Sequence, residues 1–198
     1  SCTGVGTRVF VAAGDKYVGD WEGNMKFGAG KMCFKDGTVY DGEWIDNKYH
    51  GRGVLQLPNG DEFNGEFEVN TFNGNGTMVW AKADPADEAE VQRTYEGQWA
   101  KGCRHGLGTY IFSQGTYKGK FVDDSIQGIG ELWYANGDRY TGQWVDEERS
   151  GEGVMDTAQG TSFLPFLSLS SPSLLLSLCL ASSTYFCLEL TPPWAAPL

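Results

Sequence analysis

The chain has few of the residues from which catalytic and metal sites are usually built. Its 198 residues include two histidines and five cysteines, and the cysteines show neither a C-x-x-C spacing nor a paired histidine spacing. An odd number of cysteines in this arrangement argues against a disulfide framework and a zinc site, so we interpret them as reduced thiols of a cytosolic protein. Nucleophile elbows, H-E-x-x-H motifs and calcium loops are absent from the sequence. We therefore expect no metal, no cofactor and no enzymatic activity.

Positive charge is also scarce. The chain has 26 acidic residues against 15 Lys and Arg, which gives a formal net charge of -11. The field of a molecule with this charge repels phosphate. The composition therefore argues against nucleic acid as a partner and against non-specific binding to an anionic membrane.

Glycine is in excess, and it occurs in register with aromatic residues. All 28 glycines lie at or before Gly160, without a Gly-X-Y period, in a stretch rich in Trp, Tyr and Phe. This composition is neither collagen-like nor typical of a disordered linker. An aromatic-x-Gly-x-aromatic motif starts at Tyr17, Tyr40, Phe63, Tyr95, Tyr117 and Tyr140, so successive units begin 23, 23, 32, 22 and 23 residues apart.

Each motif is followed at a fixed offset by a Gly-x-Gly pair, at Gly28, Gly51, Gly74, Gly106, Gly128 and Gly151. In residues 40–44 a period of two places the aromatics and the glycine on one face and the acids on the other, as in a strand. Turn signals such as Asn59 followed by Gly60 separate the units. The pattern predicts an all-β fold, an elongated antiparallel single-sheet meander of stacked β-hairpins. Repeated strand glycines indicate that something bulky approaches the backbone there.

The units resemble MORN repeats (membrane occupation and recognition nexus), a family built from stacked β-hairpins. The segments YDGEWIDNKYHGRGVLQLPNGDEF and YEGQWAKGCRHGLGTYIFSQG carry the resemblance. We assign residues 1–160 to the array, with a partial repeat at 4–16 that indicates a fragment of a larger chain. Phe in place of Trp at positions 67 and 121 predicts looser packing in those repeats.

The resemblance implies an interaction module, as in ciliary radial-spoke proteins, junctional membrane proteins and cytoskeletal scaffolds. Our first hypothesis is a non-enzymatic scaffold whose curved, aromatic- and glycine-lined face docks a partner peptide or helix. Tyr and Trp supply large contact areas at low entropic cost. The predicted partner-binding residues are Tyr40, Trp44, Tyr95, Trp99, Tyr117, Tyr140 and Trp144. Packing on neighbouring repeats is the alternative role for each of them.

Two alternative functions remain open. Anionic phospholipid would bind at a group of cations in consecutive repeats, Lys101, Arg104, Lys118 and Lys120. In the other alternative, the array regulates an enzyme domain outside this chain, as MORN repeats accompany phosphoinositide kinases and a lysine methyltransferase. The resemblance also implies a cytoplasmic location, at the cytoskeleton, the cilium or the membrane periphery. Open strand edges at the ends of the array predict self-association.

Two segments depart from the repeat. Residues 81–93 are an acidic insertion, for which we consider a solvated loop with a helical turn after Asp84 and a partner-contacting excursion. Residues 161–198 form an apolar Ser/Leu-rich tail without Gly, Lys or Arg. We expect the tail to be disordered or a splicing artefact. A membrane anchor over residues 173–190 is the alternative, because about 18 residues approach the length that spans a bilayer.

Overall fold

The computed structural model describes residues 4–10, 14–157 and 160–166, and for most of the first and last of these segments it defines the backbone alone. Within these residues the regular secondary structure consists of β-strands alone. The strands are β1 (Gly4–Phe10), β2 (Asp15–Glu22), β3 (Met25–Cys33), β4 (Val39–Ile45), β5 (Lys48–Gln56), β6 (Glu62–Glu68), β7 (Thr71–Val79), β8 (Thr94–Ala100), β9 (Cys103–Phe112), β10 (Gly115–Val122), β11 (Ser125–Tyr134), β12 (Arg139–Val145), β13 (Glu148–Thr157) and β14 (Gly160–Phe166).

The 14 strands form one sheet in which each strand pairs with the next along the chain. Every pairing is antiparallel. The predicted all-β antiparallel meander is therefore confirmed. Six two-stranded units account for β2 to β13, and β1 and β14 extend the sheet by one strand on each side.

The sheet continues beyond Gly160, where the sequence analysis ended the array. β14 pairs with β13 from Thr157 opposite Gly160 to Gly151 opposite Phe166. Pro165 stands where the repeat has glycine, and an edge strand tolerates a residue without an N–H because one side of it has no strand partner among the described residues. Residues 167–198 lie outside the described residues. The predictions of a disordered tail and of an anchor at 173–190 fall there.

Within each unit a two-residue turn joins the strands, and from the second unit onward this turn is hydrogen-bonded to the preceding repeat. Asp46 and Asn47 both have positive φ, 49° and 65°, as a type I′ turn requires. The N–H of Asn47 donates to the carbonyl oxygen of Lys26 at 3.1 Å, and its Oδ1 accepts from the N–H of Lys26 at 2.9 Å. Asn70 bonds to Tyr49 in the same way. These five turns therefore contribute to the contact between repeats.

A β-bulge occurs inside every complete hairpin, and it depends on glycine. In the second unit Gly42 lies opposite Gly53 but Glu43 lies opposite His50, so two residues are added on β5. Gly51, in the bulge, has a φ of 54°. A Cβ added at Gly53 would lie 2.6 Å from the hydroxyl oxygen of Tyr40. The bulky group that approaches the strand glycines is thus the tyrosine of the same hairpin.

The core is a continuous row of twelve rings, two from each complete unit, which we call the aromatic spine. Neighbouring rings meet edge to face, with centroids 5.0 to 5.4 Å apart. Such contacts add to the free energy of burying the rings. In spatial order the rings are Trp21, Tyr17, Trp44, Tyr40, Phe67, Phe63, Trp99, Tyr95, Phe121, Tyr117, Trp144 and Tyr140.

The two phenylalanines that replace tryptophan pack as closely as the other rings. Phe67 is 3% exposed and Phe121 is fully buried. The centroid of Phe121 lies 5.0 Å from that of Tyr95, and the guanidinium of Arg104 lies 5.2 Å from the Phe121 ring. Looser ring packing at these positions was therefore a wrong expectation. What phenylalanine lacks is the indole N–H.

The insertion at 81–93 is an ordered loop of hydrogen-bonded turns. The N–H of Asp87 donates to the carbonyl of Asp84 at 3.1 Å, and the Asp84 carboxylate accepts from the N–H of Ala86 at 2.9 Å. Glu90 accepts from the N–H groups of Ala83 and Asp84. The turn predicted after Asp84 is present but does not continue into a helix. A role of this loop in partner contact stays a prediction.

Candidate functional site

All seven aromatic residues predicted to bind a partner lie in the aromatic spine. The most exposed of them, Trp99, is 6% exposed, and Tyr40, Tyr95, Tyr117 and Tyr140 are fully buried. Their rings are covered by the rings and glycines of adjacent strands, so a partner would reach them only by opening the sheet. The structure thus gives Tyr40, Trp44, Tyr95, Trp99, Tyr117, Tyr140 and Trp144 the alternative role, packing between repeats.

Burial also fixes the protonation state of the spine tyrosines. Removal from water raises the pKa of Tyr17 and of Tyr95 to about 12, and it raises the pKa of Tyr40 as well. The cause is desolvation, which disfavours the charged phenolate. Each hydroxyl stays a neutral donor, as in the 2.9 Å hydrogen bond from Tyr40 to the carbonyl oxygen of Glu43.

The four cations predicted to bind phospholipid do not form one patch. Arg104 lies on the spine face, where its guanidinium stacks 5.0 Å from Tyr110 and pairs with Asp124 at 3.0 Å. Lys101 lies in the turn between β8 and β9. The exposed Lys118 and Lys120 alternate with the buried rings of β10 and therefore point to the opposite face. The predicted lipid site is thus divided between the two faces of the sheet.

The face opposite the spine, which we call the outer face, is concave in its middle. A groove of about 500 Å³ crosses β5 to β9 and has the backbone of Gly65, Gly76 and Gly97 as its floor. These glycines lie directly opposite one another on adjacent strands. The side chains around the floor are Arg52, Asn64, Glu66, Asn75, Thr77, Glu96 and Thr109.

A second hollow of about 450 Å³ adjoins the first, because Arg52 and Glu66 line both. Its other lining residues are Glu43, His50, Gly51, Phe67, Glu68 and Asn73. We call the two hollows together the outer groove. The residues that line the outer groove belong to the second, third and fourth repeats. The pairing of neighbouring strands brings these residues together.

The outer groove is acidic. Four glutamates line it, Glu43, Glu66, Glu68 and Glu96, against the single cation Arg52. Two of these glutamates are held by neighbours: Glu43 accepts from the N–H of Arg52 at 3.1 Å, and Glu68 accepts from the amide of Asn73 at 2.7 Å. Hydroxyl and amide groups of Thr77, Asn64 and Asn75 complete the lining. Such a surface can hydrogen-bond to a polypeptide and attracts positive charge.

The repeats of the array match a known protein family. Six stretches match the MORN repeat: residues 17–39, 40–62, 63–84, 95–116, 117–139 and 140–162. The chain belongs to the MORN-repeat family. MORN repeats are non-catalytic modules that generally serve in interactions with proteins or membranes.

Curated relatives share part of this MORN array. The chain is 34% identical to Alsin from Homo sapiens, Mus musculus and Rattus norvegicus over an alignment 76 residues long, and the match covers 35% of this chain. The match covers 5% of the length of each Alsin. The chain therefore spans only a small part of the length of these relatives.

The described part of the MORN chain has neither a metal-binding cluster nor a helix that could span a membrane. Residues 4–10, 14–157 and 160–166 bring together no group of three or more His, Cys, Asp or Glu side chains that could hold a metal ion. Within the same residues, no helix has the length and apolar character needed to cross a bilayer. Cys33 and Cys103 are free thiols, and the Asp124 carboxylate next to Cys103 raises the pKa of that thiol.

Proposed function

We propose that this MORN array is a non-enzymatic docking module that binds a protein segment, extended or helical, in the outer groove. The observation that carries the proposal is an open acidic groove, continuous over three repeats, on the face that the aromatic spine leaves free. The sequence pattern predicts docking on the aromatic and glycine face. Because those rings are buried, we move the docking surface to the outer face.

The chemistry of the groove defines the partner segment. Glu66 and Glu96 stand on either side of the glycine floor, where an extended or helical segment would lie. A segment rich in Lys or Arg places cations beside these carboxylates, while its polar groups bond to Asn64, Asn75 and Thr77. Electrostatic attraction of this kind contributes specificity and a fast association rate.

Other roles suggested by the resemblance stay predictions. The division of Arg104 from Lys118 and Lys120 removes the single patch on which phospholipid binding was based. Regulation of an attached enzyme domain rests on the family resemblance alone, and so does a cytoplasmic, cytoskeletal or ciliary location. Self-association rests on the open edges of the outermost strands. We propose the scaffold role ahead of them because the groove supports it directly.

The proposal is tested by selecting binders from a random peptide library displayed on phage, with the full chain as bait. We expect the selected peptides to be rich in Lys and Arg and to bind more weakly at higher salt. The double variant Glu66→Gln/Glu96→Gln should weaken binding about tenfold, since both groove carboxylates lose their charge. The matched control is Glu22→Gln/Glu148→Gln, which neutralises two exposed glutamates outside the groove. Equal affinity of both double variants would contradict the proposal.

A further inference from the structure

Each bulge of the array has a backbone N–H between its two glycines, and in three of the six complete repeats a side chain from the neighbouring strand accepts its hydrogen bond. The acceptor is the residue after the middle glycine of the aromatic motif, and the donor is the residue between the two glycines of the Gly-x-Gly pair. The pairs are Ala29 with Asp20 at 3.3 Å, Arg52 with Glu43 at 3.1 Å and Leu107 with Gln98 at 2.9 Å. A carboxylate or an amide oxygen thus completes the bulge, where the strand ladder is interrupted.

The fifth repeat has lysine in place of this acceptor. The register shift between Gly119 and Lys120 is the same as in the other repeats, and Gly128 has the same positive φ, 73°. The Lys120 stem lies over Gly128, 3.5 Å from where a Cβ would stand. An ammonium group has three donors and no acceptor. The N–H of Ile129, equivalent to that of Leu107, therefore receives no acceptor from position 120.

A second cation, Lys118, lies on the same face of β10, two residues before Lys120. Lys118 is exposed on the outer face and faces Glu131 across the β10–β11 pair, but the Glu131 carboxylate is bound to Arg139 at 3.1 Å. Among the described residues neither Lys118 nor Lys120 has an ion pair. Two uncompensated lysines and one backbone donor thus lie together.

Apolar side chains border these donors. Ile129 is 72% exposed and Leu107 is 68% exposed, the highest values for large hydrophobic residues in the described part of the chain. Leu107 lies directly opposite Lys120 on the adjacent strand. The position of Leu107 and Ile129, between the two glycines of the Gly-x-Gly pair, holds Ala29, Arg52 and Asn75 in the first three repeats. The combination of aliphatic and cationic groups is therefore particular to the fourth and fifth repeats.

We propose that an acidic side chain of an extended protein segment binds at a place that we call the Lys120 site. The site consists of Leu107, Lys118, Lys120 and Ile129. The carboxylate of that segment accepts from the Ile129 N–H and from Lys120, in the place where other repeats supply Asp20 or Glu43. Apolar residues next to the acidic one pack on Leu107 and Ile129. This site adjoins the fourth-repeat end of the outer groove, where Thr109 lies opposite Lys118, but it shares no residue with the groove and has the opposite charge.

A peptide carboxylate fits the site better than a membrane surface does. The cations occupy a small area of a chain with a net charge of -11, and the acidic outer groove lies on the same face. A broad anionic bilayer would meet both, whereas a single carboxylate on a strand meets the lysines alone. Charge complementarity therefore favours an acidic peptide segment as the occupant.

The test uses the full chain and two peptides, acetyl-Val-Leu-Glu-Leu-Val-amide and the same peptide with Gln in place of Glu. The readout is the NMR shift of the Ile129 amide proton. We expect the Glu peptide to move this proton downfield and the Gln peptide to bind at least tenfold more weakly. Lys120→Glu, which supplies an internal carboxylate, should abolish the effect. Lys101→Glu makes the same charge change elsewhere and should leave it unchanged.

Three results would overturn the proposal. The first is equal affinity for the two peptides, and the second is an unchanged peptide response in Lys120→Glu. The third is Lys120-dependent sedimentation with phosphatidylserine vesicles without any peptide effect, which would assign the site to lipid. None of these results depends on Glu66 or Glu96, so failure here is distinguishable from failure of the outer groove.

Discussion

The indole Nε1 of Trp44 donates a hydrogen bond to the carbonyl oxygen of Gly30, 2.8 Å away in the preceding repeat. Trp99 and Trp144 bond in the same way to Gly76 and Gly130, at 3.1 and 3.3 Å. The tryptophans therefore join consecutive repeats by a directional contact as well as by ring packing. Phe121 packs in the same position without such a bond.

Trp44→Phe removes the directional contact and keeps an aromatic ring at the position. The smaller ring fits, as Phe121 demonstrates, but the carbonyl of Gly30 loses its buried donor. We expect a loss of about 1–3 kcal/mol in the free energy of unfolding, measured with urea. Trp133→Phe, at a half-buried position of β11 outside the spine, should cost clearly less. Equal losses for the two variants would show that the indole bond contributes nothing specific.

Phe63→Tyr should stabilise the protein. In the other five complete repeats the equivalent tyrosine donates to the carbonyl three residues later, for example Tyr95 to Gln98 at 2.9 Å. Phe63 leaves the carbonyl of Glu66 without this donor. We expect a gain of about 1 kcal/mol in urea unfolding, and a loss of similar size for Tyr140→Phe. A destabilised Phe63→Tyr would mean that the third repeat has no room for the hydroxyl.

Alkaline pH should unfold the array. The pKa of Tyr17 and of Tyr95 is about 12 in the folded chain, and an unfolded tyrosine titrates near 10. Above pH 10 the unfolded chain loses protons that the folded chain retains, so stability is complete below about pH 10 and falls as the pH rises towards 12. Tyrosinate absorbance and circular dichroism should change together. Ionisation of all tyrosines near pH 10, with the dichroism unchanged, would contradict the prediction.

Val69→Asn should also stabilise the protein. Val69 occupies the first position of a type I′ turn with a φ of 51°, a region in which a β-branched side chain is strained. Asparagine tolerates this conformation, so we expect a gain of about 1 kcal/mol, measured as a higher temperature of unfolding. Val145→Asn is the matched control, since Val145 is equally exposed but lies within β12. A similar gain in both variants would point to lower surface hydrophobicity instead.

The sequence pattern predicts the fold well because glycine and aromatic residues follow the two-residue period of a strand. It places Tyr40, Gly42 and Trp44 on one face, as observed. It does not show that the tyrosine ring closes over Gly53 in the same hairpin, so an exposed aromatic face was the natural expectation. The turn at Val69 and Asn70 also lacks the Asn-Gly signature by which such turns are recognised.

The functional surface could be predicted only in part. The two-residue period of the strand predicts that Glu66 lies on the face opposite the aromatics, as observed, but it does not distinguish Glu66 from the other acids of that face. Its place in a groove depends on the curvature that the bulges impose on the sheet, and a period of two carries no information on curvature. The significance of Lys120 depends on the hydrogen bond that Glu43 makes at the equivalent position. The lysine at position 120 can be interpreted only when it is known that the usual residue at this position accepts a hydrogen bond from the bulge.

Phe63 and Trp99 touch at a centroid distance of 5.3 Å although the insertion at 81–93 separates their repeats. The register of the array is therefore set by ring contacts and strand pairing, and the number of residues in each repeat is free to vary. The exposed residues 83–89 at the tip of this loop form an insertion point for a peptide tag or a fluorescent domain. A label placed there would report on the array while leaving its stacking, its outer groove and its Lys120 site intact.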